Sequence, residues 1–359
     1  MNKRIVFIVF GILLIAIGLF FIPRNKFPFY SPITTNSLTS LLPTPWKPPA
    51  VTLDSIFSEN HSWDLDIPTD KKWALIATGD IIPARSVNYQ TVKQNDFLWS
   101  WKNIIPILTQ GDITLINLES PLVPNCPTTV EGMTFCGDQR HIEGMKAAKV
   151  TIANFANNHM GNYGEQGIEQ TKQLLESNSI KVSGLDEPTI IDVKGTKVAF
   201  FGFDDIGPNV PPIAASDDQE LKKQISEAKE QADLIIVSMS WGVEYTDKPS
   251  DRQILLAHLA IDSGADLIIG NHPHWIQPVE MYKGKVIMYA HGNTIFDQMW
   301  SEKTKEGVIG KYTFYGKDLV DIEFIPIYIK DYGQPEVLMG EKTDKILQSL
   351  KQISSEIQK

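Results

Sequence analysis

The sequence contains little cysteine and no excess of positive charge. Cys126 and Cys136 are its only cysteines, and without a Cys-x-x-Cys pair they do not form a zinc site. Lysine and arginine total 33 against 43 aspartates and glutamates, so the formal charge is −10. This balance argues against a nucleic-acid partner, which would require a basic face. The 42% hydrophobic composition is that of a folded protein, and the sequence shows no internal repeat.

The two cysteines lie ten residues apart in a loop-like segment. They would close a small disulfide if the domain is exported, because disulfides persist in oxidising compartments. The alternative is a pair of free thiols, and the sequence leaves both possibilities open.

One long apolar run lies near the N-terminus. Residues 5–22 contain no polar side chain, and basic residues flank them on both sides. Eighteen helical residues span about 27 Å, close to the hydrocarbon thickness of a bilayer. A cleaved signal usually has a shorter apolar core, and here the small-x-small exit at residues 16–18 lies inside the run. We therefore predict an uncleaved anchor over residues 1–26, with a cleaved signal as the alternative.

Residues 27–70 are rich in proline, serine and threonine. No helical or alternating pattern persists there, which predicts a semi-extended spacer between the membrane and a folded domain. Trp46, Ile56 or Phe57 are the residues through which this spacer would pack locally.

From Trp73 onward, short apolar runs alternate with helical patterns, which indicates an α/β domain over residues 71–359. The predicted strands are residues 74–79, 113–117, 150–154, 198–202, 234–238 and 267–269. The predicted helices are residues 96–108, 141–148, 167–177, 217–231 and 252–263.

After Gln277 the pattern changes, because the strand-like segments have no helix between them. These segments are residues 286–290, 312–314 and 319–329. They predict an antiparallel second sheet and hence a layered sandwich. An amphipathic helix over residues 342–358 is predicted to close the chain.

Polar residues follow several predicted strands at the point where each strand ends. The five clusters are Thr78-Gly79-Asp80, Asn117-Leu118-Glu119, Asn157-Asn158-His159, Trp241-Gly242-Val243-Glu244 and His272-Pro273-His274. Because the carboxyl ends of strands in an α/β sheet share one edge, we expect all five to face one site. Each has a simpler alternative when taken singly, such as a turn cap, a surface acid or a loop anchor.

The donor types in these clusters are those of a transition-metal site. Carboxylates supply anionic oxygens, an asparagine supplies a neutral oxygen, and two imidazoles supply nitrogens. The predicted ligands are Asp80, Glu119, Asn158, Glu244, His272 and His274. This mixture suits manganese, zinc or iron better than calcium, which prefers oxygen alone. One such ion, or two at ~3.5–4 Å from each other, can clamp the oxygens of an ester under attack.

Two further side chains are candidates for catalysis. His159 follows the predicted ligand Asn158 and could protonate a leaving group as a general acid. Arg85 could hold a phosphate or carboxylate bidentately, or it could simply neutralise nearby carboxylates.

Taken in order, the polar signatures resemble those of the CapA family. They are Gly79-Asp80 with Arg85, Asn117-Leu118-Glu119, Asn157-Asn158-His159, Trp241-Gly242-x-Glu244, His272-Pro273-His274 with Gln277-Pro278, and Gly292-Asn293 with Phe296-Asp297-Gln298. CapA proteins act in poly-γ-glutamate capsule biosynthesis and are related to calcineurin-like metallophosphoesterases. The resemblance implies a four-layer α/β/β/α sandwich preceded by one transmembrane helix, with the main domain extracellular.

The resemblance also implies a role in making, exporting or attaching an anionic polymer such as poly-γ-glutamate. Other capsule synthase subunits would then be partners, together with the membrane. Asn157, Gln277 and Asn293, which belong to the same signatures, are expected to contact the substrate.

Two departures from the related families bear on the chemistry. Metallophosphoesterases usually carry Asp-x-His at the first strand, whereas Asp80 is followed by Ile81 and Ile82. A single metal, or a weakly bound second one, is therefore expected. His291 replaces a leucine that the family tends to show, and it is either a substitute ligand or an incidental change.

Two functional hypotheses remain. The first is a membrane-anchored, metal-dependent hydrolase or transferase-like enzyme. The second is a non-catalytic subunit that binds the polymer and retains a vestigial metal site.

Overall fold

The computed structural model describes residues 50–58, 61 and 67–358. The predicted anchor over residues 1–26 lies outside this part of the chain, as does Trp46. Within the described residues, no helix combines the length and the apolar character needed to cross a membrane.

Part of the predicted spacer is folded. A short helix at Leu53–Ile56 begins with a capping box between Thr52 and Ser55. Ile56 is buried in the core of the domain, and Phe57 packs against the same cluster. The prediction that Ile56 and Phe57 pack locally is therefore confirmed.

The secondary structure alternates through most of the domain. The strands are β1 (Lys72–Ile81), β2 (Ile113–Leu118), β3 (Leu122–Val123), β4 (Gly137–Asp138), β5 (Ile152–Asn154), β6 (Lys181–Ser183), β7 (Thr189–Val193), β8 (Thr196–Asp204), β9 (Leu234–Ser240), β10 (Leu267–Asn271), β11 (Val279–Tyr282), β12 (Lys285–Met288), β13 (Asn293–Ile295), β14 (Glu306–Tyr315), β15 (Asp318–Lys330) and β16 (Gln334–Val337). The α-helices are α1 (Leu53–Ile56), α2 (Arg85–Gln94), α3 (Ile105–Leu108), α4 (Ile142–Ala147), α5 (Gly164–Ser177), α6 (Asp218–Ala228), α7 (Asp251–Ser263), α8 (Glu302–Lys305) and α9 (Glu341–Ile357).

Two sheets contain nearly all of these strands. The larger has the order β16-β15-β14-β1-β2-β5-β6, with β13 paired to β1. Its strands β1, β2, β5 and β6 run parallel. The smaller has the order β11-β12-β10-β9-β8-β7, and β8, β9, β10 and β12 run parallel. The mixed α/β architecture predicted from the sequence is therefore confirmed.

Three apolar layers show how the sheets and helices stack. The middle layer lies between the sheets and joins Leu75 and Leu115 of the larger to Ile236 and Ile269 of the smaller. A second cluster packs α4 and α5 on the outer face of the larger sheet. A third packs α6 and α7 on the outer face of the smaller sheet. The order of layers is therefore helices, sheet, sheet, helices.

The structure corrects two predictions about these elements. The helix predicted over residues 96–108 is wrong except for its last turn, which is α3 (Ile105–Leu108). The preceding helix α2 ends at Gln94, and Asn95 caps it in the left-handed conformation (φ 50°). Residues 96–104 form turns that bury Trp101 and Ile104. The separate antiparallel second sheet is also wrong, because β11 and β12 extend the smaller sheet while β14, β15 and β16 extend the larger.

Candidate active site

Strands of both sheets end at one edge of the molecule. Asp80 is near the carboxyl end of β1 and lies in register with Asn117 of β2. The Asp80 Oδ1 atom accepts a hydrogen bond from the backbone N–H of His272, which follows β10 of the smaller sheet (3.2 Å). The strand-end clusters of the two sheets therefore meet, as predicted.

Asp80 is fully buried and hydrogen-bonded through both carboxylate oxygens. Its Oδ1 atom also accepts from the Asn117 side chain (2.9 Å), and its Oδ2 atom lies 3.0 Å from His274 Nδ1. Burial raises its pKa, but hydrogen bonds and charge interaction with His274 leave the pKa below the ordinary value.

The close approach of β1 to the loop before β13 depends on Gly79. A Cβ atom at this position would lie 1.9 Å from the carbonyl oxygen of Gly292. Without that side chain, the Asp80 N–H donates to the same carbonyl (3.0 Å). Asn293 then lies one residue further along, where its Oδ1 atom is 3.0 Å from His274 Nδ1.

Buried amides connect the second and third clusters. Asn117 Oδ1 accepts hydrogen bonds from Asn154 (3.2 Å) and Asn157 (3.3 Å). Asn157 also donates to the Leu118 carbonyl and accepts from the Met160 N–H, both at 2.9 Å. These bonds give Asn157 partners within the protein, and its predicted contact with substrate stays a prediction.

Glu119 carries an unsatisfied buried oxygen. Asn117 donates to its Oε2 atom (3.2 Å), but its Oε1 atom has no hydrogen-bond partner. Burial and the neighbouring Asp80 carboxylate raise the Glu119 pKa well above its usual range. A cation would remove this penalty, because it would pair with the buried charge.

The two histidines of the last cluster occupy unusual backbone conformations. His272 has φ 92° and His274 has φ 59°, both in the region that favours glycine. Burial lowers the His272 pKa to about 3, so its ring is neutral, and its buried Nδ1 atom has no partner. Strain of this kind is tolerated where the surrounding structure fixes a functional geometry.

His159 is held by two neighbours. Its ring stacks on Phe135 at 4.1 Å between centroids. Its Nδ1 atom lies 3.1 Å from Asn162 Oδ1, an acceptor that requires the proton on Nδ1. Burial lowers its pKa, so the neutral ring presents an unprotonated Nε2. To act as the predicted general acid, this nitrogen must first take up a proton.

Arg85 does not present a free guanidinium. It forms an ion pair with Asp297, whose other oxygen accepts from the Ser86 N–H. The guanidinium carbon lies 4.9 Å from the ring centroid of Phe135 and 4.8 Å from that of Phe296. These contacts favour the alternative in which Arg85 neutralises a nearby carboxylate.

Glu244 and Gln277 are the remaining predicted residues. The Tyr245 N–H donates to the Pro273 carbonyl (2.9 Å), so the adjoining Glu244 lies beside the histidine loop. Gln277 is fully buried and bonds to Gln253 (2.8 Å) and to the carbonyls of residues 246 and 248. The predicted contact of Gln277 with substrate stays a prediction. Its hydrogen bonds in the structure hold the loop of residues 246–248 in place.

The contacts of His291 favour an incidental change over a substitute metal ligand. Its Nδ1 atom faces the Gly270 carbonyl (3.4 Å), and its Nε2 atom lies 3.1 Å from the Tyr312 hydroxyl. Both nitrogens therefore have partners between the two sheets. Burial lowers its pKa to about 4, which keeps the ring neutral.

Several buried acceptors at the strand ends lack partners. They are Glu119 Oε1, Asn158 Oδ1, Asn271 Oδ1 and His272 Nδ1. These oxygen and nitrogen atoms are of the kinds that coordinate a divalent ion. Among the described residues, however, no group of three or more His, Cys, Asp or Glu side chains has the arrangement of a metal site. The donor types fit a divalent ion, although the described carboxylates and imidazoles do not enclose one.

This site can be compared with known proteins. The family described as bacterial capsule synthesis protein PGA_cap matches residues 74–298, which include all eleven residues predicted for the site. The chain belongs to the PGA_cap family. The matched region begins in β1 and ends after β13, so it includes every strand end that contributes to this site.

Two curated relatives of this PGA_cap chain are similar over most of its length. The capsule biosynthesis protein CapA of Bacillus anthracis is 31% identical over 289 residues, covering 74% of this chain and 70% of that protein. The PGA biosynthesis protein CapA of Bacillus subtilis is 32% identical over 271 residues, covering 70% of each.

A solved structure supports the fold of the PGA_cap chain. A novel phosphatase from Mycoplasma pneumoniae superposes with a TM-score of 0.51 at 15% identity, covering 72% of this chain and 95% of that one. At this identity the likeness shows a shared fold and nothing about activity or substrate.

Sequence reasoning assigned no role to two acidic residues near the site of the PGA_cap chain, although Asp297 belongs to one of the quoted signatures. Asp204 is buried at the end of β8, and its charge contributes to the raised Glu119 pKa. Asp297 pairs with Arg85. Asp204 follows a predicted strand and could have been found by the strand-end rule. Asp297 could not be assigned as the partner of Arg85, because 212 residues separate them.

Proposed function

We propose that this PGA_cap protein acts at the cell membrane in making, exporting or attaching an anionic capsule polymer such as poly-γ-glutamate. In this role it is a metal-dependent hydrolase-type enzyme. The names of its CapA relatives support the role in capsule synthesis. The observation that carries the proposed chemistry is the convergence of Asp80 and His274, 3.0 Å apart, beside the unsatisfied Glu119 and His272 acceptors.

The chain's own residues can be assigned roles in such a reaction. Asp80 and Asn293 each lie 3.0 Å from His274 Nδ1, so that nitrogen donates and Nε2 is left as the ligating atom. Glu119, Asn158 and His272 would complete the donor set. A divalent ion bound there would polarise the substrate and favour ionisation of attacking water. His159, once protonated, would deliver a proton to the leaving group.

The proposed location combines two features. Residues 1–26 have the length and apolar character of a single-pass anchor. Cys126 and Cys136 form a disulfide, with their Cα atoms 5.8 Å apart. Disulfides persist in exported proteins, which supports an extracellular position for the main domain.

A second function is favoured by a different observation. The first strand offers only Asp80, since Ile81 and Ile82 are fully buried and apolar, and the described carboxylates and imidazoles do not enclose an ion. In this alternative the domain is a non-catalytic subunit that binds or guides the polymer within a synthase complex.

The test compares wild type with His274→Ala in the full-length protein purified in detergent. His258→Ala is the matched control, because His258 is a partly exposed histidine on α7. The measurements are bound metal and turnover of an aryl phosphodiester, together with polymer produced in cells. The enzyme proposal predicts that His274→Ala lowers metal affinity and turnover by at least about 100-fold and reduces the polymer, whereas His258→Ala does not.

Polymer production that is unchanged in His274→Ala would contradict the enzyme proposal and favour the binding subunit. Absence of bound metal and of turnover in the wild type would do the same.

A further inference from the structure

A groove of about 300 Å³ lies beside the candidate active site. The ion pair of Arg85 and Asp297 forms part of its lining. Val130 and Met133, from the segment between the two cysteines, line it together with Trp300 and Tyr332. None of these four apolar residues has a role in the proposed reaction.

The groove concentrates exposed apolar surface. Met133 is 65% exposed, Trp300 61%, and Val130 and Tyr332 52% each. These are four of the six most exposed large apolar side chains among the described residues. Apolar side chains scattered singly over a surface need no explanation, but a cluster around a cavity marks a binding site.

The charges of the groove disfavour a polyanion. Among the described residues that line it, Arg85 is the one cation, and it is already paired with Asp297 and in contact with two aromatic rings. Glu131 adds an exposed carboxylate to the lining, and the whole chain carries a formal charge of −10. Like charges across an interface are unfavourable, so the ligand of this groove should not be strongly anionic.

The lining of the groove combines aromatic rings with a hydrogen-bond acceptor. Trp300 and Tyr332 contribute aromatic side chains, and Glu131 contributes an exposed carboxylate that can accept hydrogen bonds. Sugar rings match both features, because their C–H faces pack on aromatic rings and their hydroxyls donate to acceptors. We infer that this groove binds a neutral glycan.

Aromatic side chains connect the groove to the candidate active site. The Trp300 ring lies 5.9 Å from that of Tyr245, which lies 6.1 Å from that of His274. On the other side, Phe135 contacts both Arg85 and His159. A glycan in the groove would therefore lie next to the metal-ligand candidates. If the proposed function is correct, this glycan is a second substrate or an attachment point for the polymer, but glycan binding itself requires neither metal nor turnover.

The test is calorimetric titration of the full-length protein with two neutral probes, an N-acetylglucosamine tetramer and cellotetraose. A γ-linked glutamate tetramer is the anionic comparison. We expect saturable binding of at least one neutral probe and a loss of about tenfold or more in Trp300→Ala. Trp300→Phe keeps a ring and should retain most of the affinity. Leu255→Ala removes an exposed apolar side chain from α7 and should have no effect.

The inference is overturned if neither neutral probe binds, or if Leu255→Ala weakens binding as much as Trp300→Ala. It is also overturned if Trp300→Ala weakens the glutamate tetramer and leaves the neutral probes unaffected. His274→Ala separates this inference from the proposed function, because it should remove metal and turnover while glycan binding persists.

Discussion

The carboxylate of Asp80 lies 3.0 Å from Nδ1 of His274, although 194 residues separate them. One is near the end of a strand in the larger sheet, and the other is in the loop that follows β10 of the smaller sheet. The contact fixes which nitrogen of His274 carries the proton, and it joins the two sheets at their carboxyl edge. Removing a charge from this site should therefore affect the stability of the fold and the binding of metal in different ways.

Glu119→Gln should stabilise the metal-free protein at neutral pH. The raised Glu119 pKa means that the folded state favours the protonated acid, so wild-type stability falls as the pH rises above the ordinary glutamate pKa. Glutamine is neutral and keeps the shape, so a gain of about 1–4 kcal/mol in the free energy of unfolding is expected near pH 8. Denaturation in EDTA at about pH 5 and pH 8 measures it.

The same variant should bind divalent metal more weakly, because it loses an anionic donor. A Glu119→Gln protein that is less stable than wild type at both pH values would show that the buried Glu119 charge does not destabilise the folded protein. The matched control is Glu356→Gln on α9, whose side chain is exposed.

His141→Gln should reduce the loss of stability in acid. His141 is fully buried, and burial lowers its pKa to about 4 from an ordinary value of 6.5. The neutral ring is favoured in the folded state, so the stability that His141 contributes is present above pH 6.5 and is lost as the pH falls toward 4. This contribution to the free energy of unfolding is about 3 kcal/mol. Urea denaturation at about pH 7 and pH 4.5 should show a smaller drop for the variant.

An equal drop in wild type and His141→Gln would contradict this assignment.

Replacing both cysteines by alanine should destabilise the domain. The bond between Cys126 and Cys136 closes a loop across a sequence separation of 10. Loss of such a short cross-link is expected to cost about 2–3 kcal/mol, because the unfolded chain gains freedom. Thermal unfolding with and without a thiol reductant measures the effect. Reduction should bring wild type to the level of the double variant and leave the variant itself unchanged.

Gly79→Ala should disrupt the active-site edge. The new Cβ atom would overlap the Gly292 carbonyl oxygen at 1.9 Å, and all three of its nearest atoms are backbone, which can move little. A cost of about 3 kcal/mol or more is expected, with weaker metal binding because Asp80 moves away from Asn293. Gly316→Ala is the control, since its φ is +58° and nothing lies near its Cβ. It should cost about 1–2 kcal/mol through backbone strain alone.

Much of the fold follows from local patterns. The apolar runs that become β1, β2, β9 and β10 can be recognised because strands buried on both faces need continuous apolar side chains. The polar residues that follow them were also assigned correctly to one edge, because parallel strands bring their carboxyl ends together.

Local patterns failed where partners are distant. The strands after Gln277 were recognised, but their division between two sheets depends on which existing edges they extend. The sequence left open whether Arg85 holds an anionic substrate or neutralises a nearby carboxylate. Only the folded chain shows that it pairs with Asp297. The same holds for His291, whose two nitrogens are both occupied between the sheets.

The sequence by itself determined the α/β class and the set of polar residues that collect at strand ends, because both are encoded within a few neighbouring positions. Tertiary structure alone decided the bonding of each residue. It placed His274 on Asp80, left Glu119 Oε1 without a partner, and turned Arg85 toward Asp297. Hydrogen bonding and desolvation depend on atoms brought together from far apart in the chain, and no spacing rule specifies them.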